Sequence, residues 1–198
     1  MRRFLTIFPL FFYLLLASSQ SSAQVSLAPV EPPSELQHYT IIYNARSQKI
    51  LGSEDTRQGG GISLAVGRRD PKLRMGNVNG ELIWEGYLMQ TTSPGVNGDL
   101  PNTTFAYGVL ASARYRWEFR SDCKVFADFG FGIQWVDHSS TDLPLAFNTS
   151  PTIAVGLEFK APKGAFQVGA RLFHVSNGGR KEPNPGQNFL QFFVGLRY

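Results

Sequence analysis

The segment at residues 104–118, TFAYGVLASARYRWE, decides the fold predicted for this chain. Every second side chain is apolar, from Phe105 through Val109 to Trp117. The alternate positions include glycine, serine, arginine and glutamate. Because successive side chains of a β-strand point to opposite faces, the pattern predicts a strand with one apolar and one polar face.

The same alternation recurs along the chain, most clearly in KVFADFGFGIQWV at residues 124–136. There, Val125, Phe129 and Trp135 share a face opposite Asp128 and Gln134. Eight segments are predicted to be strands: about 37–44, 60–68, 80–91, 104–118, 124–136, 150–160, 165–176 and 187–198.

The composition agrees with an all-β fold. Aromatic residues make up 13% of the 198-residue chain, glycine occurs 20 times, and charged residues are only 17%. Aromatic side chains favour strands and glycines favour turns, whereas helical bundles and disordered chains carry more charge. The formal charge of +4 gives no case for a nucleic-acid partner.

Strands of about ten residues with one apolar face are typical of transmembrane β-barrels. Backbone groups must all be paired inside a bilayer, so the sheet must close, and eight strands make a small barrel filled by side chains. The fold prediction is therefore an eight-stranded antiparallel outer-membrane barrel, with long outward loops and one exceptionally long inward connection at 69–79. The alternative is a soluble, lipocalin-like carrier, whose apolar face would point inward.

A seven-residue ion network is expected in the barrel lumen, because charged side chains on the polar faces must neutralise one another. Its members are Glu85, Arg114, Arg116, Asp128, Glu158, Arg171 and Arg197.

The N-terminus has the features of a secretory signal peptide. Arg2 and Arg3 precede a short apolar run, and Ser21-Ser22-Ala23 resembles a cleavage site. We expect a signal peptide at 1–23, with an uncleaved anchor as the alternative, a proline-containing linker at 24–36 and the barrel at 37–198. Export is compatible with the single Cys123, which excludes an intrachain disulfide and a cysteine-based metal site.

The strongest candidate chemistry lies at the end of the seventh segment. His174 and Ser176 continue its outward face, so they are expected at the outer-leaflet interface, with Asn188 across the next hairpin. A serine hydroxyl is a weak nucleophile that needs an adjacent base, which points to a hydrolase. The alternatives are a polar cluster at the barrel rim and a separate loop cluster, Asp137-His138-Ser139-Ser140.

These residues also carry a resemblance. The runs His174-Val175-Ser176-Asn177-Gly178-Gly179 and Pro183-Asn184-Pro185-Gly186, followed by an aromatic-rich last strand, resemble the lipid A 3-O-deacylase (acyloxyacyl hydrolase-like) outer-membrane family. The resemblance implies an esterase that removes an acyl chain from lipid A of lipopolysaccharide. It implies neither a metal nor an organic cofactor.

The resemblance makes His174 the general base, Ser176 the nucleophile, and Asn177 and Asn184 supports of the oxyanion. The family's pattern has a glutamate twelve residues after the serine, where this chain has Asn188, with Glu182 as a second acid candidate. From the sequence alone, Asn188→Glu would be expected to raise activity. The alternative function is a structural or interaction barrel with a vestigial site.

Overall fold

The computed structural model describes residues 35–95 and 98–198, which form eight antiparallel strands in a closed ring. This confirms the predicted barrel. Each strand pairs with its neighbours in sequence, and β1 closes the ring by pairing with β8. The strands are β1 (Gln37–Ser47), β2 (Gln58–Met75), β3 (Val78–Ser93), β4 (Asn102–Arg120), β5 (Cys123–Val136), β6 (Phe147–Ala161), β7 (Gly164–Val175) and β8 (Gln187–Arg197).

The connections fall into two classes, one at each end of the barrel. The connections of one end lie between β2 and β3, β4 and β5, and β6 and β7, and each is a two-residue turn. The other end carries longer loops, at residues 48–57, 94–101, 137–146 and 176–186. These are named loops 1 to 4.

The prediction of a long connection at 69–79 was wrong. Residues 69–75 continue β2, 78–79 begin β3, and the turn is Gly76-Asn77. Gly76 has a φ of +60°, which the first position of a tight hairpin turn requires. A register shift between Asp70 and Arg74 accommodates Pro71, because a bulge leaves positions outside the hydrogen-bonded ladder.

The outer wall is apolar over most of its height. Leu88, Val155 and Phe192 are each more than half exposed, and they alternate with buried or half-buried neighbours on their strands. An exterior of this kind suits a lipid environment and does not suit a soluble carrier, which hides its apolar face.

The interior is a packed and charge-compensated core. The Arg114 guanidinium donates two hydrogen bonds of 2.7 Å to the Asp128 carboxylate, and Arg171 donates two to Glu85, of 2.9 and 2.8 Å. All four side chains are buried. In a buried, bidentate ion pair each charge is neutralised and hydrogen-bonded by the other, so these side chains fill the lumen at this level as structural elements.

The remaining predicted ions join a second cluster. Glu158 accepts from both Arg116 and Arg197, which confirms the expected neutralisation. Glu81 was missing from the prediction, although it pairs with Arg116 and accepts a 2.6 Å hydrogen bond from the Tyr39 hydroxyl.

The predicted signal peptide at 1–23 lies outside the described residues, as does most of the predicted linker at 24–36. Among the residues that the structure describes, no helix is long and apolar enough to cross a membrane.

Candidate functional site

The candidate site begins where β7 reaches the long-loop end of the barrel. Phe173, Val175 and Asn177 point inward and are buried, whereas His174 and Ser176 alternate with them and are half-buried. The backbone of Ser176 is held by β6, since its N–H donates to the Thr149 carbonyl at 3.1 Å and its carbonyl accepts from the Thr149 N–H at 2.8 Å. The two side chains therefore share the outer face on a fixed backbone.

The third predicted residue lies directly opposite. His174 pairs with Asn188 in the β7–β8 ladder, and the distance from His174 Nδ1 to Asn188 Oδ1 is 2.7 Å. The Asn188 amide nitrogen donates in the other direction, to the main-chain carbonyl of Ile50 at 2.8 Å.

This orientation of the Asn188 amide decides the histidine tautomer. If the amide were turned over, its oxygen would face the Ile50 carbonyl, and two acceptors would repel each other. Asn188 Oδ1 is therefore the group facing the imidazole, and it can only accept. Nδ1 of neutral His174 must carry the proton, which leaves Nε2 with a free electron pair that can act as a base.

Asn177 organises loop 4 instead of presenting its donors outward. Its main-chain N–H donates to Asn184 Oδ1 at 3.1 Å, and its amide nitrogen donates to the Lys181 carbonyl at 2.8 Å. Its own amide oxygen accepts from the Arg180 N–H at 2.9 Å. Asn177 thus fixes the amide of Asn184 through its main-chain N–H, and the oxyanion roles of both residues stay predictions.

Gly186 brings the end of loop 4 against both candidate catalytic side chains. A β-carbon placed on Gly186 would lie 2.6 Å from the Val175 carbonyl oxygen, 2.8 Å from His174 Cε1 and 3.3 Å from Ser176 Cβ. One methyl group at this position would therefore touch both residues. The absence of a side chain allows the loop to close over the pair.

The other acid and base candidates do not reach this site. The Glu182 carboxylate is exposed and accepts from the Asn184 N–H at 3.1 Å. In loop 3, Asp137 contacts His138 at 3.0 Å and accepts from the Phe105 N–H. Burial raises the pKa of the Asp137 carboxyl, but these two hydrogen bonds outweigh burial and lower it.

The serines of loop 3 do not complete a nucleophile site there. Ser140 is buried, and its hydroxyl accepts from the Leu143 N–H at 3.2 Å and from the Gln187 amide at 3.4 Å. Ser139 is exposed. The Asp137-His138-Ser139-Ser140 run is therefore explained by loop structure.

Sequence reasoning missed the contribution of loops 1 and 3. Ile50 contacts Asn188 from 138 positions away, and Gly186 donates its N–H to the Asp142 carbonyl at 3.2 Å. No local pattern links these positions, since they meet only when the ring closes.

The close approach at Gly186 makes a prediction with a matched control. We expect Gly186→Ala to lower the activity of the site about 100-fold, because misplacing reacting groups by about 1 Å costs that much. Gly179→Ala is the control, since Gly179 lies in the same loop at a φ of +76°, against +74° for Gly186, but has open space around it. Equal losses in initial rate for the two variants would attribute the effect to the backbone conformation and contradict the role of close packing.

Comparisons with known proteins identify a family for this chain. A family model described as lipid A 3-O-deacylase (PagL) matches residues 55–197, which include the whole candidate pair and Asn188. Among curated proteins, no sequence gives a significant match.

Two solved structures resemble the fold. The crystal structure of the outer membrane enzyme PagL is 17% identical, covers 80% of this chain and 98% of its own, and superimposes with a TM-score of 0.57. Neisserial surface protein A is 16% identical, covers 84% of this chain and 98% of its own, and gives a TM-score of 0.53. At these identities the likeness concerns the barrel alone.

Proposed function

This chain belongs to the lipid A 3-O-deacylase (PagL) family, and on that premise we propose that it is an outer-membrane serine esterase that removes an ester-linked acyl chain from lipid A. The observation that carries the proposal is the 2.7 Å contact between His174 and Asn188 on the outer wall, with Ser176, the first residue after β7, continuing the outward face of that strand. Lipopolysaccharide in the outer leaflet is the proposed partner, and residues 1–23 are the proposed export signal.

The first step is activation of the nucleophile. His174 Nε2 takes the proton of the Ser176 hydroxyl as Oγ attacks the ester carbonyl carbon. The imidazolium that forms is stabilised by Asn188 Oδ1, which accepts a hydrogen bond from Nδ1–H and so holds the ring. An amide acceptor in this role has a precedent in Cys-His-Asn enzymes.

The second step is stabilisation of the tetrahedral oxyanion. The Asn184 amide nitrogen is the proposed donor, and Asn177 supports it by fixing the Asn184 oxygen at 3.1 Å. A preorganised donor at this point lowers the barrier because it is already aimed where charge develops.

The intermediate then collapses in the usual order for acyl transfer. The carbon–oxygen bond to the sugar breaks, and His174 returns its proton to the departing sugar alcohol. Water, deprotonated by His174, then attacks the carbonyl carbon of the acyl-serine. The bond from that carbon to Ser176 Oγ breaks, and His174 returns the proton to Oγ, which releases a fatty acid and restores the serine hydroxyl. These steps need only protein groups and water.

The alternative is a non-catalytic structural or interaction barrel with a vestigial site. The observation that favours it is Asn188 itself, which supplies no negative charge to the imidazolium. Replacing the corresponding aspartate in a serine protease by asparagine costs about 10⁴ in rate.

Mass spectrometry of lipid A separates the two functions. Lipid A from cells producing the protein should be lighter by one ester-linked acyl chain than lipid A from cells carrying the empty vector. Several lipid A forms should be offered to purified barrel as well. Unchanged lipid A in every case, with correctly folded protein in the outer membrane, would contradict the esterase and favour the inert barrel.

A further inference from the structure

We infer that Asp142 in loop 3 is a positioning residue for the candidate site: it clamps loop 1 so that the Ile50 carbonyl fixes the Asn188 amide with its oxygen toward His174. The inference deepens the proposed function and rests on it for its kinetic consequence. Its structural content, the orientation of one amide and one imidazole, can be measured independently.

The clamp is a single carboxylate oxygen that accepts three hydrogen bonds from loop 1. Asp142 Oδ2 lies 3.1 Å from Ser53 Oγ, 2.9 Å from the Glu54 nitrogen and 2.8 Å from the Asp55 nitrogen. Asp142, Ser53 and Asp55 are each at most 2% exposed. A buried carboxylate bonded to successive N–H groups is a strong, charge-assisted contact, so this part of loop 1 has one defined position.

Hydrogen bonds connect the clamped part of loop 1 to Asn188. The Ser53 N–H donates to the Ile50 carbonyl at 3.1 Å, and the Gln48 N–H donates to the Asn188 carbonyl at 2.6 Å. Between them, Leu51 has a φ of +56°, a conformation that costs energy for a side chain of this size and persists only where neighbouring contacts impose it. Loop 1 therefore needs an anchor to keep the Ile50 carbonyl in place.

Asn188 depends on this anchor because an amide has two different ends. Its oxygen serves His174 only while its nitrogen has an acceptor on the other side, and the Ile50 carbonyl is that acceptor. A carboxylate in this place would set an oxygen against the Ile50 carbonyl. The rise in activity expected for Asn188→Glu stays a prediction, and the Ile50 carbonyl, which matches an amide, opposes it.

Asp142 also reaches the other side of the site. Its main-chain carbonyl accepts the Gly186 N–H at 3.2 Å, and Gly186 packs on His174 and Ser176. Asp142 thus holds two loops beside His174 and Ser176: its side chain binds loop 1, and its main-chain carbonyl binds loop 4. Removal of the Asp142 carboxylate should therefore disturb the His174 imidazole through these loops, without a direct contact between the two side chains.

The test is the tautomer of His174 in Asp142→Ala, measured on ¹⁵N-histidine-labelled barrel at a pH where the imidazole is neutral. Wild type should show a single tautomer with the proton on Nδ1, assigned by comparison with His174→Gln. Asp142→Ala should show a mixture of tautomers. Its kcat for lipid A deacylation should fall about tenfold with little change in KM, less than the ~10⁴-fold loss caused by a fixed wrong tautomer, because the right one is still sampled.

Two further variants keep the test decisive. Asp142→Asn retains an acceptor oxygen and should restore most of the wild-type spectrum, while Ser53→Ala removes one of three donors and should shift the tautomers in the same direction by less. Asp137→Asn is the matched control, since this loop 3 carboxylate accepts a main-chain N–H but, within the described residues, has no hydrogen bond or ion pair with loop 1.

The outcomes separate the inference from the proposed function. A single Nδ1-protonated tautomer in folded Asp142→Ala, or in Ser53→Ala should Asp142→Ala not fold, would overturn the positioning role. If Asp142→Ala shifts the tautomer of His174 but the wild-type protein never deacylates lipid A, the result would support the positioning role and contradict the esterase.

Discussion

Ser176→Ala is expected to reduce lipid A deacylation roughly 1,000-fold or more while the barrel folds normally, because it removes the atom that attacks the ester. His174→Ala should cause a loss of similar size, since the hydroxyl then keeps its proton. The two residues act as one unit, so the double variant should be hardly worse than either single variant. The measurement is the initial rate on purified lipid A, with heat-modifiable migration in electrophoresis as the check of folding.

Ser139→Ala is the control for the loss of a serine at this end of the barrel. Ser139 is exposed in loop 3, next to a His138–Asp137 contact of 3.0 Å, and its loss should leave the rate unchanged. If activity survived Ser176→Ala and disappeared in Ser139→Ala, the nucleophile would belong to loop 3.

Glu85→Ala is expected to have the largest effect on stability, about 3–5 kcal/mol in the free energy of unfolding, because it leaves the buried Arg171 guanidinium without its hydrogen-bonded carboxylate. Arg171 and Glu85 share two hydrogen bonds, of 2.9 and 2.8 Å, in the lumen, and both are at most 4% exposed. Equilibrium unfolding in denaturant, with the barrel in lipid vesicles, measures the change.

Two comparisons isolate the buried charge as the cause. Glu85→Ala combined with Arg171→Met should recover most of the stability, since an apolar replacement of both partners leaves no unpaired ion. Glu54→Ala breaks the exposed pair with Lys49, whose side chains are 54% and 59% exposed, and should cost less than about 1 kcal/mol. An unrecovered loss in the Glu85→Ala and Arg171→Met double variant would assign the effect to packing.

The fold followed from the sequence because the alternation of a strand is local. Phe105 to Trp117 and Val125 to Trp135 each separate an apolar from a polar face within one segment, and antiparallel neighbours then require only short connections. The error at 69–79 has the same origin. Proline and glycine usually end a strand, so Pro71 and Gly76 both suggested a loop. In the structure a bulge accommodates Pro71, and Gly76 forms part of a tight turn.

The candidate pair and its partner could also be placed from the sequence. His174 and Asn188 lie 14 positions apart across one hairpin, so the period of β7 and the start of β8 bring them together without knowledge of any other strand. Ser176 follows by the same alternation. Their predicted catalytic roles remain predictions.

The sequence by itself determined which residues face lipid, which fill the lumen, and that His174, Ser176 and Asn188 lie on the outer face where β7 ends and β8 begins. Each of these depends on one strand or one hairpin. Tertiary structure decided the rest. Ile50 and Asp142 reach the site from loops far away in sequence, and only closure of the ring of eight strands brings those loops over it. The direction of the Asn188 amide depends on the Ile50 carbonyl of loop 1, which lies far from β8 in the sequence. The sequence therefore identified Asn188 as the partner of His174 but did not predict which end of its amide faces the imidazole.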